Sequence, residues 1–218
     1  MVENAKRTRK TSTEKKKRQI LNAAVRVFAQ KGFHRCRISD IAKEASVAYG
    51  LVYHYFENKE EILNSIFDEN WGLLNKVIDN AAEQNTNLEK QLLTIVSVIC
   101  DAYRLAPDII HVMVIEIARS SKFLKTPKIE TYEKTFSRLA GILRKHQEAC
   151  EIDPESDPKF LAYCFFGMIE LILTGYLLNT LQPEEGPAFE KMKSRLVNMF
   201  LNGIRIGAQT PLQKDQSK

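Results

Sequence analysis

Tyr49, Gly50, Tyr53 and His54 fall within one six-residue stretch of a 218-residue chain. Phenolic hydroxyls and an imidazole both donate and accept hydrogen bonds, and a glycine beside them lets another surface come close. Such side chains suit base edges and phosphates; the plainer alternative is a helical hairpin with exposed tyrosines. The charge distribution bears on that choice. Residues 1–59 carry 14 Lys/Arg against five Asp/Glu, a charge of +9, whereas residues 60–218 carry −4, for a net +5. A basic third on a slightly acidic remainder points to a polyanion partner, although a run such as Lys6 to Lys17 is also what a solvated tail looks like.

Other chemistries find little to work with. His34, His54, His111 and His146 show no metal-ligand spacing, and there is no G-x-S-x-G and no Gly-rich phosphate loop. His34-x-Cys36 is an isolated pair. No enzymatic activity, metal or cofactor is therefore expected. Cys36, Cys100, Cys150 and Cys164 are far apart and form no C-x-x-C pair, which argues for a reducing compartment. The basic start has no apolar region behind it, so no secretory signal is expected. An apolar content of 44% is enough for a real core.

The elements that must position these residues are helical. Ile20, Ala23, Ala24, Val27 and Phe28 make one apolar stripe, with Thr11-x-x-Glu14 as a possible capping box and Gly32 as a stop. Two short segments follow, Ile38 to Ala45 and Ala48 to Phe56, broken at Ser46-Val47. Asn58 with Glu61 three residues on opens a long helix through Ile78. Further stripes run from Leu88 to Tyr103, over 108–123 and 127–149, from Asp157-Pro158 to Thr180, and from Phe189 to Gly203. No stretch alternates with period two. The expectation is an all-α protein.

Phe160 to Leu178 carries a single charge, Glu170, and approaches the ~20 residues that span a bilayer. A central carboxylate would cost roughly 2.5–3.5 kcal/mol there, so a buried bundle or interface helix is the expected reading, with no membrane partner.

Ile38 to Leu63 has helix-turn-helix spacing: a bracing helix, a tight turn and a second helix short enough for a major groove. Ile41, Ala42, Ala45, Val47, Val52 and Phe56 would hold the pair against Phe28, leaving Tyr49, Gly50, Tyr53 and His54 outside. With these residues in hand, residues 14–63 resemble the DNA-binding domain of the tetracycline-repressor (TetR) family of bacterial transcription regulators. The matching positions are Ile20, Ala23, Phe28, Gly32, Phe33, Ile41-Ala42, Ala45, Val47, Gly50, Val52-Tyr53, Tyr55-Phe56, Lys59-Glu60 and Leu63.

That resemblance implies a division into a basic flexible arm (1–12), a three-helix helix-turn-helix domain (13–58), a connecting helix (59–81), an effector-binding and dimerisation bundle (82–208) and a flexible tail (209–218). It implies DNA contacts by Arg37, Ser39, Ala48, Tyr49, Gly50, Leu51, Tyr53, His54 and Lys59, with Tyr49, Gly50 and Leu51 at base edges and Lys59 on a phosphate. Two positions depart from the pattern. Arg37 stands where the family has a Thr N-cap, and Ser46 stands where it has Gly, requiring positive φ at a cost of about 1 kcal/mol.

The second domain would bind a small hydrophobic effector through Tyr103, Met113, Glu116, Arg119, Phe123, Phe136, Phe166 and Glu170. It would form a homodimer through Gly167, Gly175, Leu196, Phe200 and Ile204. Glu116 and Glu170, each a lone carboxylate in an apolar run, are either pocket groups or halves of buried pairs with something like Arg119 or His111, and the structural pair is the favoured reading. The run VAYGLVYHYFENKEEIL is similar to fatty-acid-metabolism regulators that respond to acyl-CoA. The expectation is a cytoplasmic repressor released from a palindromic double-stranded operator. An effector-free architectural DNA-binding protein and an all-α ligand carrier with an incidental basic tail are the alternatives.

Overall fold

The computed structural model describes residues 2–84, 86–116 and 128–205, with side chains from residue 13 onward except 128 and 129. Lys, Arg, Glu and Ala, all good helix formers, crowd the start of the chain. Helix α1 accordingly spans Val2–Lys31. Its backbone takes in the segment expected as a flexible arm, and Thr11 and Glu14 lie inside the helix instead of at its start. Nothing in residues 2–13 breaks a helix, so a possible cap does not set the boundary. Gly32 does end it: φ is +78°, and its N–H donates to the Phe28 carbonyl at 2.9 Å.

Helices α2 (Ile38–Glu44) and α3 (Tyr49–Tyr55) follow. The turn between them takes Ser46 to a φ of +52°, the left-handed conformation expected of that position. Gln19 of α1 donates to the Ala45 carbonyl at 2.6 Å and so ties the turn to the first helix. Ile20, Ala23, Ala24 and Phe28 of α1 are buried, as are Ile41, Ala42, Val52 and Phe56, with α1 packed on α2 and α2 on α3. Burial of each Ile or Phe is worth about 1.5–3 kcal/mol. This shared core holds the three helices together.

Helix α4 (Lys59–Glu83) opens on the expected cap, Asn58 Oδ1 accepting from the Glu61 amide at 2.8 Å. Helix α5 (Leu88–Leu105) stops before Pro107, where α6 (Pro107–His111) begins. The next five residues, Val112–Glu116, are wound as a π-helical turn. The helix expected over 108–123 is therefore two windings as far as Glu116, and the remainder lies outside the described residues. Helices α7 (Lys128–Glu148), α8 (Pro158–Leu177) and α9 (Pro187–Ile204) complete the chain. Asp157 caps α8 by accepting from the amides of Lys159 and Phe160. Among the described residues the β-structure is one isolated bridge, Ile152 to Arg205.

The chain divides into two compact units, Met1–Gly72 with Ala102–Thr126, and Leu73–Asp101 with Pro127–Lys218. The boundary differs from the sequence-based one. Residues from 102 onward join the helix-turn-helix because α6 and the π turn pack on α1. In the second unit α8 packs against both α7 and α9 around Phe136, Phe165, Ile169, Leu173, Leu196 and Phe200.

Candidate nucleic-acid interface

Positions 49 and 53 are one helical turn apart and share a face of α3. Tyr49 is 54% and Tyr53 47% exposed, their rings meet edge to face at 5.2 Å, and their hydroxyls are 3.2 Å apart. That hydrogen bond raises the Tyr53 pKa above its ordinary value. Val52, on the opposite side, is fully buried and anchors the helix. Gly50 is exposed, and nothing lies within 4 Å of where a Cβ would sit. A glycine in a helix interior costs about 1 kcal/mol relative to alanine. The fold does not require it, and its bareness leaves room for an approaching surface. Ser39, Ala48 and His54 are exposed as expected, while Leu51 is half-buried.

Arg37 begins α2 without a side-chain cap. Its amide instead donates to Asp40 Oδ2 at 2.9 Å, and Asp40 Oδ1 accepts from Lys31 Nζ at 2.8 Å. The Lys31 bond and then the Arg37 amide hold the Asp40 carboxyl below its usual range. Asp40 thus supplies the reciprocal half of a capping box, while its own amide donates to the Arg37 carbonyl at 3.0 Å instead of to an N-cap side chain. The Arg37 side chain is exposed.

Lys59 departs from the expectation of a phosphate contact. Its ammonium donates to the carbonyls of Phe33 (2.8 Å), His34 (3.1 Å) and Cys36 (3.4 Å) and lies 4.6 Å from the centre of the Phe33 ring. An ammonium has three protons, and three carbonyls of one turn take them. Lys59 therefore fastens the α1–α2 turn to the start of α4. Cys36 is buried in that turn, and burial pushes its thiol up to about 11. His34 stays exposed, so the pair forms no ligand set.

The expected effector residues belong to both units. Tyr103 and Met113 are half-buried in the first unit, and Arg119 and Phe123 lie outside the described residues. Glu116, also of the first unit, is 8% exposed and accepts from the Phe33 amide at 2.8 Å; His111 Nε2 is 3.8 Å away. Its partner is a main-chain amide, a possibility the sequence alone left unconsidered. In the second unit Phe136 is fully buried, stacked on Tyr163 at 3.9 Å and edge-on to Phe166 at 5.3 Å. Glu170 is half-buried on α8, and burial raises its pKa. Tyr132 joins the cluster against Phe136, its pKa pushed up to about 12 by burial and then by the nearby Glu170 charge. Sequence stripes marked its aromatic character but not its closeness to Glu170.

Of the expected dimer residues Gly167 is exposed, whereas the others are engaged within their own unit. Leu196, Phe200 and Ile204 face the interior of their own unit, 3%, 5% and 7% exposed, with Phe200 against Phe165. Gly175 is spoken for as well, since a Cβ there would come within 3.1 Å of Leu181 Cβ. Helix α9 is apolar on more than one side, and its inward stripe is the longer. On α8, Phe160 and Leu171 are exposed and lie at helical spacing from the exposed Gly167; on α9, Met199 is exposed. Helix α8 is also long and apolar enough to cross a membrane, with mean hydropathy 1.7, and it packs between α7 and α9.

Together these features define a helix-turn-helix reading head joined to a helical second unit. The model of bacterial regulatory proteins of the tetR family matches residues 20–66. A fatty acid metabolism regulator protein of Bacillus subtilis (strain 168) is 33% identical over 165 residues, covering 74% of this chain and 83% of the relative. The structure of the regulator FadR from Bacillus subtilis in complex with stearoyl-CoA superposes with a TM-score of 0.75 at 26% identity, covering 86% of this chain and 98% of that one. The fatty acid degradation regulator FadR from Bacillus halodurans gives 0.77 at 26%, covering 86% and 95%. The chain belongs to the tetR family of bacterial regulatory proteins. It is a DNA-binding transcription regulator and not an enzyme.

Proposed function

We propose that the protein is a cytoplasmic homodimeric repressor that binds a palindromic operator through α3 and leaves it when a long-chain acyl-CoA or similar lipophilic effector binds. The exposed Tyr49–Gly50–Tyr53 face carries the reading: three contact-ready positions on a helix anchored from behind by Val52. Dimerisation fits the geometry of duplex DNA, where two such helices about 34 Å apart read half-sites one turn apart. The exposed face of α8, with Phe160, Gly167 and Leu171, supports pairing with a second copy. The effector reading draws on the stearoyl-CoA held by the Bacillus subtilis FadR and on the aromatic cluster of Phe136, Tyr163 and Phe166 in this chain.

Footprinting on the DNA flanking the chain's own gene tests the proposal. Protection of a near-palindrome, lost on adding micromolar stearoyl-CoA, is the expected result. Protection that no acyl-CoA or lipophilic ligand relieves would point instead to an architectural role, and no protected palindrome would end the proposal of a palindromic operator there.

A further inference from the structure

Glu116 is a buried carboxylate on the last residue of the π turn, 83 positions from its hydrogen-bond partner Phe33. The Phe33 amide lies just past the end of α1, where Gly32 turns the chain away with φ +78°. Left buried without an acceptor, an amide costs about 1–3 kcal/mol. Glu116 Oε2 supplies the acceptor at 2.8 Å, and a charged acceptor makes the stronger bond. The carbonyls of the same turn are taken by Lys59. A carboxylate thus holds the donor side of residues 33–36 and an ammonium the acceptor side. Arg37, the residue from which α2 departs, comes next.

The winding that delivers Glu116 adds a second observation. π turns are rare and short, and ordinary α winding is their ready alternative. Rewinding Val112–Glu116 would rotate position 116 by roughly one residue, about 100°, and lift the carboxylate from the amide.

We infer that Glu116 is a positioning residue for DNA binding: seated on the Phe33 amide, its carboxylate sets the α1–α2 turn and thereby the presentation of α2 and α3. The inference rests on the reading of α3 as the operator-binding helix, and its first test needs no effector.

The experiment uses the full chain and a duplex selected by the wild-type protein from a random pool. Glu116→Ala should bind that duplex about tenfold more weakly or worse, with unchanged far-ultraviolet dichroism. Glu116→Gln keeps a carbonyl acceptor and should stay close to wild type. Hydrogen exchange over residues 32–37 should be fast in Glu116→Ala and slow in wild type and in Glu116→Gln. Folded Glu116→Ala with wild-type affinity, or with unchanged exchange over 32–37, overturns the inference. Should Glu116→Ala fail to fold, Glu116→Asp replaces it: one methylene short, it should fold and bind the duplex more weakly, and wild-type affinity would overturn the inference. If wild type selects no duplex, the operator reading fails by itself, and the exchange comparison still decides whether Glu116 sets the turn.

Discussion

Lys59 and Glu116 carry opposite charges to one four-residue turn, and each has a consequence that the phosphate-contact and pocket readings do not share. A lysine on a phosphate contributes about 0.9 to the log–log salt slope of DNA binding. A lysine bonded to three carbonyls contributes to stability. Lys59→Met should therefore lower the free energy of unfolding by about 1–3 kcal/mol, read by urea denaturation, while leaving the salt slope of the folded variant nearly unchanged. A slope reduced by a full unit would restore the phosphate contact. Glu170 offers a pH test. Its pKa in the folded chain is raised by burial, so the folded state holds the proton more tightly and stability falls as pH rises above the ordinary carboxylate value. Glu170→Gln should raise the melting temperature at pH 7.5, and the gain should vanish near pH 4. The exposure of Tyr49 and Tyr53 was legible because it follows from a local apolar stripe that buries Val52. The partners of Lys59 and Glu116 lie 26 and 83 positions away, and no spacing rule reaches that far.

Helix ends were the most readable elements, because a cap is chemistry within four residues. Gly32, Asn58 and Asp157 all act where their types suggest, and Ser46 takes the left-handed conformation in place of glycine. Asp157→Ala should cost about 1 kcal/mol, shifting the urea midpoint without altering the slope. Equal midpoints would mean that the adjacent Pro158 alone starts α8. Two features at this scale were hidden. A π turn of five residues leaves no mark on a stripe read at 3.6 residues per turn. The faces of α9 were mis-assigned because Leu196, Phe200 and Ile204 are as apolar as an interface residue, and only packing against α8 decides which side is inward.

For the assembled molecule, that correction separates two kinds of substitution. Leu196→Glu places a charge in the core and should unfold the second unit. Leu171→Glu lies on the exposed face of α8 and should leave a folded monomer, seen as a halved mass in sedimentation equilibrium, with operator affinity lost because one half-site cannot hold alone. A dimer that survives Leu171→Glu would locate the contact elsewhere. The charge division into a basic first part and an acidic remainder fits the proposed arrangement, in which DNA affinity and subunit pairing would be carried by different surfaces. The empty space around Gly50 has a consequence for how such a protein changes over generations. A side chain can appear there without disturbing a neighbour, so folding places little constraint on this position. Under the proposed operator reading, a single substitution there would change which sequence is preferred while leaving the packing of the fold intact.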